Sequence, residues 1–255
     1  MLQGLAVEDV EAIVRLLSTT VDPHLPLLLG ERKRRLAEGL ARLVGAEVWI
    51  WTSSVHSNQV AGDAMSVNIL DGGWRDEAQR VALYRFLSEP ETAVPAGKPI
   101  TEKAQQQRHF TVDHGIIPPE VWETVQDRYY ATGLRHCLLS IYPLDERSFS
   151  GLGLHRSDDR PFQDRERVIV HTVFSQVDWL HRQGTDIPAR DNVLRLTPRQ
   201  RQILIFLLSG EPTSKIADKL ELSEHTINYH IRHLFERLNV DSRASLLAQF
   251  MSCGD

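Results

Sequence analysis

The chain has 255 residues, a formal net charge of −5, 42% hydrophobic and 25% charged residues, a globular balance that excludes a disordered polymer and whose length suits two domains. No apolar run is long enough to span a bilayer, and Glu8, Asp9 and Glu11 stand where a signal peptide needs bases, so a cytoplasmic location without membrane contact is expected. Cys137 and Cys253 are expected as free thiols of a reducing compartment.

Helices are predicted over about Glu8 to Ser18 and Leu25 to Val44, the second with Leu36, Leu40, Leu43 and Val44 at helical spacing. Glu47 to Thr52 reads as a strand, and Ala64 to Leu70 as its hairpin partner or neighbour. A helix from Asp76 to Leu87 is stopped by Glu89-Pro90. The polar, Pro-punctuated stretch from Thr92 to Pro119 reads as a loop or short-helix excursion, and Glu120 to Tyr130 as a helix. Cys137 to Leu144 and Phe149 to His155 are strand-like and joined by Asp145 to Ser148, which predicts an antiparallel hairpin. One long helix is predicted from Asp164 to His181, then a linker through Gly184 to Val193.

The tail is patterned differently. Thr197-Pro198-Arg199-Gln200 can open a helix with a capping box and a proline in its first turn. Ile203, Leu204, Leu207 and Leu208 give it an apolar face, and Gly210 ends it. A short helix, about Thr213 to Glu221, turns at Leu222-Ser223 into a third, Glu224 to Leu238, which Ser223 caps. On that third helix Ile227, Ile231, Leu234 and Leu238 fall within about 60° of each other. His225, Asn228, Tyr229, Arg232 and His233 lie opposite. A short helix, a tight turn and a polar-faced helix form a helix-turn-helix, whose second helix enters the major groove of double-stranded DNA. Charge alone would not say so, because seven bases meet seven acids from Leu196 onward.

The run from Leu196 to Phe250 resembles the LuxR-type (GerE-type) domain nearly end to end. The landmarks are Leu196-Thr197-Pro198-Arg199, Arg201, Leu204, Gly210, Ile216-Ala217, Leu220, Ser223, Thr226-Ile227, His230, Leu238, Val240 and Ser242-Arg243. Gln200 stands where the family usually has Glu, Thr213-Ser214 where it has Asn-Lys, and Asn228 where Lys is frequent. The resemblance implies a four-helix DNA-binding domain, with a last helix near Ser242 to Phe250 that often supplies a dimer contact. Asn228, Tyr229 and Arg232 are expected to reach the groove, with Asn suited to adenine and Arg to guanine or phosphate. Lys215 is expected on phosphate, and Ser223, His225, Thr226 and His233 complete the DNA-facing set.

Such tails are attached to several input modules. A phosphoacceptor receiver would open with a strand ending in paired acids, whereas this chain opens with helices. Residues Gly151 to Arg156, Arg160-Pro161-Phe162 and Asp164 to Arg167 resemble the end of a GAF-like (or PAS-like) sensory domain. The expected class is therefore α+β: a GAF/PAS-like antiparallel sheet with flanking helices over 1–183, a linker over 184–195, and the all-α four-helix domain over 196–255. The input is an unknown small molecule, with Trp49, Trp51, His56, Asn68, Trp74 and Tyr142 as candidate contacts, and the regulator is expected to be a homodimer. Alternatives are a protein-interaction adaptor and an acyl-homoserine-lactone-type quorum-sensing receptor. His109 and His114 lack a partnered ligand cluster, and His155 with nearby serines and aspartates lacks a nucleophile elbow. No metal, cofactor or catalytic residue is expected.

Overall fold

The structure is a computed structural model that describes residues 5–21, 29–56, 64–106, 108–182, 192–193 and 195–251. Its centre is an antiparallel five-stranded sheet: β1 (Val48–His56), β2 (Ala64–Gly72), β3 (Phe110–Asp113), β4 (His136–Pro143) and β5 (Ser148–Arg156), in the order β2-β1-β5-β4-β3. The helices around it are α1 (Val7–Val21), α2 (Leu29–Val44), α3 (Glu77–Ser88), α4 (Pro90–Ala104), α5 (Pro119–Tyr130), α6 (Asp164–Ser175) and α7 (Asp178–Arg182). Four more helices make the C-terminal region: α8 (Pro198–Leu208), α9 (Thr213–Leu220), α10 (Glu224–Leu238) and α11 (Arg243–Met251). The α+β class is as expected.

Strand alternation sorts the core into two layers. Trp49, Trp51, Leu138, Leu152 and Leu154 face one way and are buried under Leu36, Leu40 and Val44 of α2 and Ile169 and Val173 of α6. Val48, Ile50 and Cys137 join a second cluster with Leu83 and Phe86 of α3 and Val125 and Tyr129 of α5. That cluster runs on into Leu204 and Phe206 of α8, so the C-terminal helices share apolar core with the sheet region. Burial pushes the Cys137 thiol up to about 12; Cys253 lies outside the described residues.

Inside the first layer a chain of hydrogen bonds replaces pure hydrocarbon. Trp51 Nε1 donates to Ser150 Oγ (2.9 Å), Ser150 donates to His181 Nδ1 (3.1 Å), and His181 Nε2 donates to the Phe174 carbonyl (2.7 Å). Because the carbonyl only accepts, His181 must carry its proton on Nε2, which leaves Nδ1 as the acceptor. Beyond β5 the chain turns into α6 around a buried arginine. The buried Arg156 guanidinium stacks on Phe162 (4.0 Å), bonds the Val44, Gly45 and Arg160 carbonyls, and lies 3.5 Å from Glu166 at the start of α6. Gly73 needs its glycine, since at φ +82° a Cβ would sit 1.8 Å from the Glu47 carbonyl oxygen.

Two expectations are corrected. The stretch from Thr92 to Pro119 is more ordered than a loop: it holds α4, β3 and a 3-10 turn at His114–Ile116. Pro95 and Pro99 lie inside α4, and the helix survives them because Ala96, Thr101 and Ala104 are buried against its neighbours. The long helix expected from Asp164 to His181 breaks between Ser175 and Asp178, where Gln176 caps α6 and Val177 is buried. Residues 25–28, part of the second predicted helix, and 183–191, most of the predicted linker, lie outside the described residues.

Candidate nucleic-acid interface

The tail folds locally as its residue types require. Thr197 Oγ1 accepts from Gln200 N (3.3 Å) and Gln200 Oε1 accepts from Thr197 N (3.0 Å), so glutamine completes the capping box of α8. Glu221, in the left-handed region at φ 56°, ends α9 and reverses the chain. Ser223 Oγ accepts from Thr226 N at 3.1 Å and lies 2.8 Å from Thr226 Oγ1, which starts α10. Ile227, Leu234 and Leu238 are fully buried; Ile231 is half-buried at the edge of that stripe.

The opposite arc of α10, about 160° wide, is open. His225, Asn228, Tyr229 and Arg232 are exposed, and Thr226 and His233 half-exposed. Tyr229 stands edge-on to His233, 4.4 Å between ring centres. His233 Nδ1 lies 3.0 Å from Glu236 Oε2. His230 is half-buried; burial, then Arg199 and His233, hold its pKa below the usual imidazole value, so it meets neutral pH uncharged. Lys215 and Ser223 are exposed at the first turn of α9 and the start of α10. Seven of the residues expected on DNA are thus exposed or half-exposed along the start and outer arc of α10, and the eighth, Lys215, is exposed on α9 near Glu211, Asp218 and Lys219. Arg237 points elsewhere and donates to the Arg195 carbonyl at 2.5 Å.

One turn beyond Lys215, α9 is tied to the sheet region. Lys219 Nζ lies 2.6 Å from both Glu211 and Glu77 of α3. Arg80 of α3 donates from Nε to Asp71 (2.8 Å) and from Nη2 to Ser209 Oγ (3.3 Å), and Tyr84 donates to the same Asp71 carboxylate. Burial, then the Asp71 charge, pushes the Tyr84 hydroxyl well above the usual phenol range. The Tyr84 and Phe206 rings lie 6.4 Å apart. Sequence reasoning missed this junction, because no local pattern joins Arg80 to a serine 129 positions away.

The candidate ligand contacts are not brought together. Trp49 and Trp51 are buried beneath α2 and α6, with Trp51 5.0 Å from the Phe174 ring and Trp49 under the Arg34 guanidinium (5.7 Å). Tyr142 is on the same side, stacked on His181 (4.3 Å) and bonded to Asp178 (2.7 Å). Trp74 follows the turn at Gly72-Gly73 and packs on the other side of the sheet, 6.0 Å from Tyr84. His56 and Asn68 belong to β1 and β2, and their side chains lie outside the described residues. His109 and His114 also part: the first stacks on His171 (4.2 Å), the second on Trp122 (4.7 Å). No described helix is long and apolar enough to cross a membrane.

Residues 194–249 match the family described as GerE, bacterial regulatory proteins, luxR family. The nitrate/nitrite response regulator protein NarL of Escherichia coli K12 is 36% identical over 52 residues, 20% of this chain and 24% of NarL. The chain thus spans about a quarter of that relative's length. A protein of Aeromonas salmonicida, named as an HTH-type transcriptional regulator in the exeN 3′ region, is 40% identical over 193 residues. That match covers 66% of this chain and 92% of the relative. Among solved structures, SdiA of Escherichia coli aligns over 96% of this chain and 97% of its own at a TM-score of 0.40 and 14% identity. By the extent and identity of the Aeromonas salmonicida match, this chain belongs to the luxR family of bacterial regulatory proteins.

Proposed function

We propose that the chain is a one-component transcriptional regulator that binds double-stranded DNA as a homodimer, with α10 in the major groove. The observation that carries this is the open polar arc of α10, presented by a serine-capped N-terminus. Asn228, Tyr229 and Arg232 read base edges, and Lys215 positions the domain on phosphate. Residues 1–183 form a GAF/PAS-like sensory domain, 184–195 a linker and 196–255 the DNA-binding domain. The Aeromonas salmonicida match extends well beyond the helical tail, which supports the sheet region as an integral part of a regulator. A small-molecule signal is supported by two separate atoms on the α3 and α5 side of the sheet, Trp74 Nε1 beside Tyr84 and His114 Nδ1 beside Trp122, each enclosed without a hydrogen-bond partner among the described residues. A polar ligand group reaching either atom would satisfy it.

Gel-shift titration against selected DNA tests the first part. Arg232→Ala is expected to lose about 1–3 kcal/mol on the selected site only, and Lys215→Ala to weaken all DNA and reduce the salt slope by about one. Unchanged binding in both variants refutes the interface. A thermal-shift screen tests the second part, since a compound that binds only the folded state raises the melting temperature. If only protein partners stabilise the chain, the sensory domain is an adaptor instead.

A further inference from the structure

Five large hydrophobic side chains stand exposed among the described residues, and three share one helix: Val7 (69%), Val10 (38%) and Val14 (57%) of α1. At 100° per residue they lie within about 60°, with the half-buried Leu17 about 20° further on. The helix cannot roll to hide them. Its inner side is anchored by buried Ile13 and by Asp9, which accepts two hydrogen bonds from Arg165 of α6. An apolar strip on a fixed helix at the surface of a folded chain is an interaction site by its exposure.

We propose that this strip is a seam between two copies of the chain, with the two α1 helices packed antiparallel about a two-fold axis. Two features of α1 select a second copy. The apolar strip is self-complementary: centred near Ala12, the antiparallel pair sets Val10 against Val14 and Val7 against Leu17, twice by symmetry. The charges agree with that direction. Glu8, Glu11 and Arg15 are exposed and flank the strip on one side only. An antiparallel two-fold pair brings equivalent flanks together, so Arg15 of one copy comes level with residue 9 of the other, between its Glu8 and Glu11. A parallel pair would set that charged flank against the buried side of the other helix. The last helix, which the family resemblance implies as a dimer contact, and α6 bury their largest apolar residues internally. Ile169, Val170, Val173 and Phe174 of α6 and Leu246 and Phe250 of α11 are buried within the chain.

The seam deepens the homodimer part of the proposed function and rests on it for its purpose, but its test is read without DNA. Sedimentation equilibrium of the full chain is expected to show a concentration-dependent dimer. Val10→Glu with Val14→Glu is expected to weaken association at least tenfold, with unchanged far-UV circular dichroism and, at concentrations where both chains are monomeric, an unchanged melting temperature. Glu11→Arg alone is expected to weaken it severalfold, and adding Arg15→Glu to restore it, a reciprocity that only the antiparallel pair produces. A wild-type chain monomeric at 100 µM overturns the proposal. So does a dimer indifferent to the glutamates. If the glutamates lower the melting temperature of a monomer, the strip is covered by the chain's own 1–4 or 22–28 segment, and the proposal is equally overturned. Loss of DNA binding in Arg232→Ala leaves sedimentation unchanged, which separates failure of the seam from failure of the DNA reading.

Discussion

Removing the Arg80 side chain tests whether the junction between α3 and the C-terminal helices is held by charge. Arg80 and Asp71 expose only 13% and 15% of their side chains, so solvent screens their 2.8 Å contact weakly. Arg80→Ala leaves the Asp71 carboxylate buried with Tyr84 as its remaining donor. Breaking a buried pair from one side costs about 3–5 kcal/mol, and the surviving tyrosine bond places this case near the lower end. The guanidinium also lies over the Tyr84 ring (5.2 Å) and bonds Ser209. A loss of about 3 kcal/mol is expected, equivalent to roughly 6–12 °C for a chain of this size. Urea denaturation of Arg80→Ala, of Asp71→Asn with Arg80→Met, and of the single variants forms the assay. The double variant should recover most of the loss, because it buries no unpaired charge. A cost below about 1 kcal/mol for Arg80→Ala, with an unchanged m-value, refutes the reasoning.

Burial pushes the Lys33 ammonium down from 10.5 to about 8. The folded value lies below the unfolded one, so charge on Lys33 costs stability below pH 8, roughly 3 kcal/mol, and the cost fades between pH 8 and 10.5. Lys33→Met should therefore be the more stable protein at pH 7 and lose that rise with pH; a less stable variant contradicts the account. Burial likewise holds His181 and His155 down to about 4. Their neutral forms contribute fully above pH 6.5 and the contribution is lost as pH falls toward 4, so His181→Gln should flatten the acid limb of a stability–pH curve. Ser223→Ala should cost about 1 kcal/mol through the lost cap of α10, measured by thermal unfolding. Glu221→Gly should gain a few tenths to about 1 kcal/mol by relieving the φ of 56°; a clear loss in the same scan counts against it.

The tail was legible to within about one residue at its helix ends because its signals are local. Thr197, Ser223 and the Ile227–Leu238 stripe act within one or two turns, and the boundaries of α10 match those read from sequence. The β4–β5 hairpin was legible for the same reason, its register following from a short turn. What escaped depends on distant partners. The prolines of α4 argue for a loop until their buried neighbours are counted, and periodicity through Val173, Val177 and Leu180 conceals the break between α6 and α7. Residue type alone makes the tryptophans candidate ligand contacts, yet strand alternation puts Trp49 and Trp51 on one side of the sheet and the later turn puts Trp74 on the other. Likewise Glu77, Arg80 and Lys219 look like ordinary surface charges until α3 is laid against α8 and α9.

The strand order has a consequence for how the chain is made. β1 pairs with its hairpin neighbour β2 and, on its other edge, with β5, where Val48 meets His155. At about 5–20 residues per second, a ribosome needs roughly 5–20 s to travel from one to the other. Throughout that interval the β1 edge that β5 will cover is bare, as the outer edge of β2 remains, and Trp49 and Trp51 have α2 above them but no α6. Unpaired strand edges with apolar neighbours recruit other strands. The nascent chain is thus most exposed to misassociation between synthesis of β2 and of β5. Slower translation through residues 73–147 would lengthen that interval without altering the finished protein, and a chaperone that covers extended apolar segments would act there first.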